Sequence, residues 1–98
     1  MDFRFDDSDL EKLYTVEGFA FGHSAIVVKA FRKRVQTIHA APDERVFYSQ
    51  KSLHFEKMKG ARSHQYSMKL NDQWRLVMEF EGKGPAKVVA IKSIEDYH

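Results

Sequence analysis

The sequence predicts an α+β fold: two N-terminal helices packed on a mostly antiparallel, twisted sheet of four to five strands. Two observations predict it. Val27, Phe31, Val35 and Ile38 recur at helical spacing, whereas beyond about Leu53 the apolar period falls to two. The two kinds of segment are also segregated along the chain rather than interleaved, which favours an antiparallel sheet backed by helices over a parallel one.

Each element has its own signal. Phe3 and Phe5 alternate with charged neighbours, as in a short opening strand. Ser8-Asp9-Leu10-Glu11 has the S-x-x-E form of a capping box, and Leu10, Leu13 and Tyr14 follow as an apolar stripe. Gly18 and Gly22 bracket a break. Ser24 is the expected N-cap of the longest helix, which Pro42 ends at about Ala41. Asp43 to Gln50 reads as a connector with room for one helical turn. Tyr66, Met68 and Leu70 then alternate with Gln65, Ser67 and Lys69. After a turn at Asn71-Asp72, Trp74, Leu76, Met78 and Phe80 alternate with Arg75, Val77 and Glu79. Gly82-Lys83-Gly84-Pro85 is a second turn. Ala86 to Ile94 is nearly continuously apolar, as a central strand buried on both faces should be. If Trp74, Leu76, Met78 and Phe80 face the helices, Arg75 emerges on the opposite side with Ser67 and Lys69. The open face should therefore collect basic and hydroxyl groups. The last strand should bring Glu95-Asp96-Tyr97-His98 to its rim.

Composition narrows the chemistry. The 98 residues suit one domain, 1–98, able to bury roughly two-thirds of its unfolded surface. With no cysteine, disulfides, zinc–thiolate sites and thiol catalysis are excluded. The acidic start lacks a signal-peptide pattern, and no apolar run approaches the ~20 residues of a membrane span, so a cytoplasmic location without membrane partners is expected. Charge is lopsided despite a net +2. Residues 1–17 hold six acids against Arg4 and Lys12, whereas residues 50–75 hold six bases against Glu56 and Asp72. A polyanion would be steered to the second stretch.

The terminal Asp96-Tyr97-His98 holds a carboxylate, a phenol and an imidazole at the end of a strand, which is a proton-transfer kit. Metal-free RNA cleavage needs a base for the 2′-OH proton, an acid for the leaving 5′-oxygen and a cation for the phosphorane. His98 titrates near working pH and suits acid or base. Asp96 can orient it or act as base, and Tyr97 can stack on a base or bind phosphate. Arg75 is the best clamp because its fork matches two phosphate oxygens, although a cross-strand ion pair to a carboxylate such as Glu79 would occupy it equally well. Lys57, Lys59, Arg62 and Lys69, with His54, are candidates for neighbouring phosphates, against the simpler reading of a solvated charged face. Asp96, His98 and His64 lack metal-ligand spacing, so no metal or cofactor is expected.

Asn71-Asp72-Gln73-Trp74-Arg75-Leu76, Gly84-Pro85, Lys57-Met58-Lys59-Gly60 and the closing Asp96-Tyr97-His98 resemble the HigB branch of the RelE/ParE toxin superfamily, over Leu53 to His98. The resemblance implies a RelE-like fold and a type II toxin that cuts mRNA in the ribosomal A site, against ribosomal RNA. It also implies neutralisation by a helix-turn-helix antitoxin of HigA type, with operator DNA bound only through the antitoxin complex. It places Asp96, Tyr97 and His98 on the family's catalytic group, Arg75 on the arginine after the hairpin tryptophan and Lys59 on the lysine of an "LKG" element. Relative to an "LHPLKG" pattern, the segment from Leu53 to Gly60 lacks the proline and carries two extra residues. That displaces His54 and lets Lys57 take its place. Two rival readings remain: a non-enzymatic, ParE-like inhibitor of DNA gyrase, and an antitoxin-docking co-repressor module without catalysis.

Overall fold

The computed structural model of the chain describes residues 1–96; Tyr97 and His98 lie outside the described residues. Strand β1 (Asp2–Phe5) leads into helices α1 (Ser8–Thr15) and α2 (Ala25–Ala40), then a short α3 (Arg45–Ser49). Strands β2 (Glu56–Lys57), β3 (Gln65–Lys69), β4 (Trp74–Glu81) and β5 (Val88–Asp96) follow. The five strands form one sheet in the order β1-β5-β4-β3-β2. β1 runs parallel to β5, and every other pairing is antiparallel. The predicted α+β architecture is the one observed, with α3 in the segment read as a connector.

Helices cover one sheet face because their apolar stripes match the inward residues of the strands. Leu13, Phe31, Val35 and Ile38 are fully buried, as are Met68, Leu76, Met78, Val89 and Ile91. Burying each such side chain stabilises the fold by roughly 1.5–3 kcal/mol before the entropy of ordering it is subtracted. Two caps set the helix positions. Ser24 accepts from the Val27 amide at 3.3 Å, as expected. At α1 the cap is Asp7, one residue before the serine of the S-x-x-E pattern, and its carboxylate accepts from the Asp9 and Leu10 amides at 2.6 and 3.3 Å. An ionised oxygen answers the positive helix end better than a hydroxyl, so the helix starts where Asp7 can serve it. Arg32 of α2 donates to the carbonyls of Leu13 and Val16 at 2.9 and 2.8 Å, closing the far end of α1 and tying the helices together.

The period-two pattern does not begin at Leu53. Lys51–Leu53 and Gly60–Arg62 are 3₁₀ turns, and β2 is two residues long. Gly60, at φ 66, supplies a backbone conformation that an L side chain would strain, so the chain can fold back and deliver Arg62 toward the sheet.

One irregularity decides the chemistry of the last strand. The β4–β5 ladder pairs Val77 with Ser93 but Met78 with Ile91, leaving Lys92 as an extra residue in a β-bulge. Strict alternation from Val89 and Ile91 would have aimed Ser93 and Glu95 into the core. The bulge instead returns Ile94 to the core side, opposite Leu76, and sets Glu95 opposite Arg75 on the open face.

Candidate active site

The open face is where the sequence places its chemistry, and Arg75 is its centre. Arg75 is 7 % exposed. Its Nε donates to Ser67 Oγ at 2.8 Å, and its Nη2 donates to the backbone carbonyl of His54. Glu56 Oε1 stands 3.6 Å from Nη2. The carboxylate at hand is therefore Glu56 and not Glu79, which instead accepts from Gln65 at 2.9 Å and faces Lys92 at 3.9 Å. A buried guanidinium needs this degree of satisfaction, because an uncompensated charge there is strongly unfavourable. His54 adopts a left-handed backbone, φ 46 and ψ 46. Such a conformation costs a non-glycine residue roughly 1–3 kcal/mol, and here it turns the carbonyl toward Arg75.

Lys69 lies directly opposite Arg75 in the β3–β4 register. Two cations facing each other across a ladder repel unless an anion stands between or beside them. Lys69 finds Asp72 at 3.1 Å, and Arg75 finds Glu56. Together with His54 and Asn71, these residues line an open pocket of about 260 Å³. Three of the residues expected to meet RNA, namely Arg75, Lys69 and His54, are thus brought together. Glu56 completes the pocket, and Ser67 holds Arg75 from beneath it. Alternation along β3 already placed Ser67 on this face; Glu56 is not prominent in the sequence, and only its pairing with Ser67 between β2 and β3 brings it there.

The other expected phosphate ligands are arranged differently. Arg62 is bound by Glu95, with Nη1 and Nη2 donating to the two carboxylate oxygens at 2.8 and 2.6 Å, while its Nε donates to Gln65. The Arg62 guanidinium holds the Glu95 carboxyl below its ordinary range, and Ser93 Oγ, donating at 2.7 Å, adds to the effect. Lys57 pairs with Tyr66 in the ladder, which sets it on the other side of β2 from Glu56. Lys57 and Lys59 are exposed and have no ion-pair partner among the described residues.

Asp96 is in register with Trp74, the neighbour of Arg75, and therefore projects from the opposite side of the ladder. It accepts from Gln73 Nε2 at 3.1 Å. The residue that the last strand brings onto the Arg75 face is Glu95. The roles expected of Tyr97 and His98 fall on residues outside the described ones.

The open face is also less basic than the sequence suggests. Arg4 makes a two-point contact with Glu81 at 2.8 and 2.6 Å, and Lys92 reaches Asp6 at 2.8 Å. Carboxylates from β2, β4 and β5 thus share the face with the cations. Among the described residues, no group of three or more His, Asp or Glu is arranged to hold a metal ion. No helix among them is long and apolar enough to cross a membrane.

A five-stranded mixed sheet with its helices on one side is the fold of the RelE-like toxins. The chain is similar in structure to a YoeB/ParE toxin from Agrobacterium tumefaciens, with a TM-score of 0.63 over 100% of both chains at 13% sequence identity; at that identity the fold alone is shared. The sequence model of the HigB-like toxins, described as RelE-like toxins of the type II toxin–antitoxin system HigB, matches residues 3–98, and the chain belongs to that family. No curated protein sequence matches it. As a type II toxin, it has an antitoxin as partner.

Proposed function

We propose that the protein is an mRNA endoribonuclease that acts in the ribosomal A site and cuts without a metal. The observation that carries this reading is the direct opposition of Arg75 and Lys69, with Glu56 and His54 rimming the same pocket. A scissile phosphate entering there meets a guanidinium and an ammonium, and it can displace Glu56 and Asp72 from them. In the reaction the 2′-oxygen attacks phosphorus as its proton passes to a base, and the P–O5′ bond breaks as an acid protonates the leaving oxygen. The product carries a 2′,3′-cyclic phosphate. Glu56, Asp72, His54 and Lys69 are the described groups within the pocket able to carry protons. Asp96, Tyr97 and His98 are proposed to complete the site from the end of β5, with His98 as acid or base. Lys57, Lys59 and Arg62 are proposed to hold flanking phosphates or ribosomal RNA. The proposed partners are a helix-turn-helix antitoxin of HigA type and, through it alone, operator DNA.

Programmed ribosomes incubated with the toxin should yield codon-phased cuts that persist in EDTA, and His98→Ala should remove most of the rate. Intact message at every dose would overturn the reading. Growth arrest with DNA breaks and unchanged mRNA would replace it with gyrase inhibition. EDTA-sensitive cutting would replace the metal-free chemistry.

A further inference from the structure

We propose that the groove between the end of α1 and the outer side of α2 is the docking site for an acidic, amphipathic segment of the antitoxin. The groove, about 450 Å³ in volume, has Phe19, Ala20, Ala25 and Val28 in its walls and Lys29 and Lys33 along its edge. The described residues include four large apolar side chains that are well exposed, and three belong to this region: Val16 at 46%, Phe21 at 52% and Ile26 at 73%. Val16 ends α1 and gives its carbonyl to Arg32, a groove residue. Phe21 stacks on Phe19 with ring centres 6.2 Å apart. Ile26 lies three and seven positions before Lys29 and Lys33, on the same side of the helix. Phe21 also holds a left-handed backbone, φ 47, which is unusual for a bulky residue and spends conformational energy on a ring that the fold leaves half in water.

Charge identifies the occupant. Arg4, Arg62, Lys69, Arg75, Lys87 and Lys92 each stand against a carboxylate. Lys29 and Lys33 have no such partner among the described residues. An apolar trough edged by unmatched ammonium groups is complementary to a helix or strand with apolar anchors on one side and Asp or Glu beside them. A nucleic acid would use the lysines and leave Val16, Phe21 and Ile26 in water. A second copy offers a poor complement from its own acidic stretch, because Leu10 and Leu13 there are already buried. The groove lies on the helix side and the Arg75 pocket on the open sheet face, so a segment seated here leaves the pocket uncovered. It neutralises the toxin by bulk at the ribosome.

The test is calorimetric titration of the toxin with the antitoxin encoded beside its gene. Ile26→Asp and the double variant Lys29→Glu/Lys33→Glu should each weaken binding at least about tenfold with an unchanged melting temperature. Lys57→Glu, on the sheet, should not weaken it. In the wild-type complex the amides of residues 16–36 should gain protection from hydrogen exchange. Unchanged affinity in both groove variants, or protection confined to the open sheet face, overturns the proposal. So does loss of ribosome binding with antitoxin affinity intact, which assigns the groove to RNA, or loss of self-association alone, which assigns it to a second copy. A toxin that cuts no RNA yet binds through these residues supports the docking site while removing the nuclease reading.

Discussion

The open sheet face and the α1–α2 groove both carry clustered cations, but they hold them in different states. On the sheet face, Arg4, Arg62, Arg75 and Lys92 are matched with Glu81, Glu95, Glu56 and Asp6. Val77 and Ala90 point to that side yet are buried, as expected where the aliphatic stems of long charged residues lie across a sheet. In the groove, Lys29 and Lys33 edge an apolar trough without carboxylates. A face whose charges are already paired is preorganised: its guanidiniums are fixed in place, and on the proposed reading an incoming phosphate would exchange with a carboxylate instead of ordering a flexible chain. A face with unmatched charge and uncovered apolar surface is incomplete by itself. The first arrangement suits a substrate that must come and go, and the second suits a partner that stays.

Several changes would break or sharpen that contrast. The largest effect is expected from Arg75→Ala, which removes the proposed clamp and leaves Ser67 and Glu56 without it; the proposed ribosome-dependent cutting should fall by about two orders of magnitude or more. Arg75→Lys should recover only a small part, because one ammonium cannot reproduce the fork. A variant that keeps full rate would show the pocket to be structural only.

Next is the Lys57→Ala/Lys59→Ala double variant. If both side chains hold phosphates, the slope of log affinity against log salt for single-stranded RNA should shrink by about 1–2, with little change in melting temperature. An unchanged slope would mark them as solvated charges.

Glu95→Gln separates pairing from stability. It should tighten RNA binding a few-fold by releasing Arg62 while lowering stability by on the order of 1 kcal/mol or less, since both side chains are partly exposed. The sign of its pH dependence is fixed. Arg62 holds the folded-state carboxyl below its unfolded value, so the stabilisation is present above the unfolded pKa, near 4.5, and is lost as pH falls through the lower folded one. The melting-temperature gap between wild type and Glu95→Gln should therefore close as the solution is acidified below that range. Asp43, held down to about 2 by Arg45, should follow the same course when its carboxyl resonance is titrated.

The smallest effect is expected from deleting Lys92. Without the bulged residue, Ile91, Ser93 and Ile94 already alternate correctly against Met78, Val77 and Leu76, so the register should survive and the loss should be confined to the contacts of Lys92 with Asp6 and Glu79. A large fall in melting temperature would show that the bulge itself shapes the end of β5.

Much of this molecule is legible in its residues. Val27, Phe31, Val35 and Ile38 could bury together only on a helix, and Trp74 through Phe80 only on a strand, because apolar area is removed from water most fully at those two periods. Their segregation gave the α+β class, and alternation put Arg75 opposite the core. The family resemblance lay in the hairpin and the last residues. Less visible were the features that depend on distant partners. Glu56 rather than Glu79 reaches Arg75, because that contact needed a backbone position that no local pattern specifies. Lys92 bulges because a regular β5 would have buried the Glu95 carboxylate while exposing Ile94. Period and composition are properties of neighbours along the chain and can be read from it. Which carboxylate meets which guanidinium depends on strand register, and register is settled only when the whole sheet closes on its core.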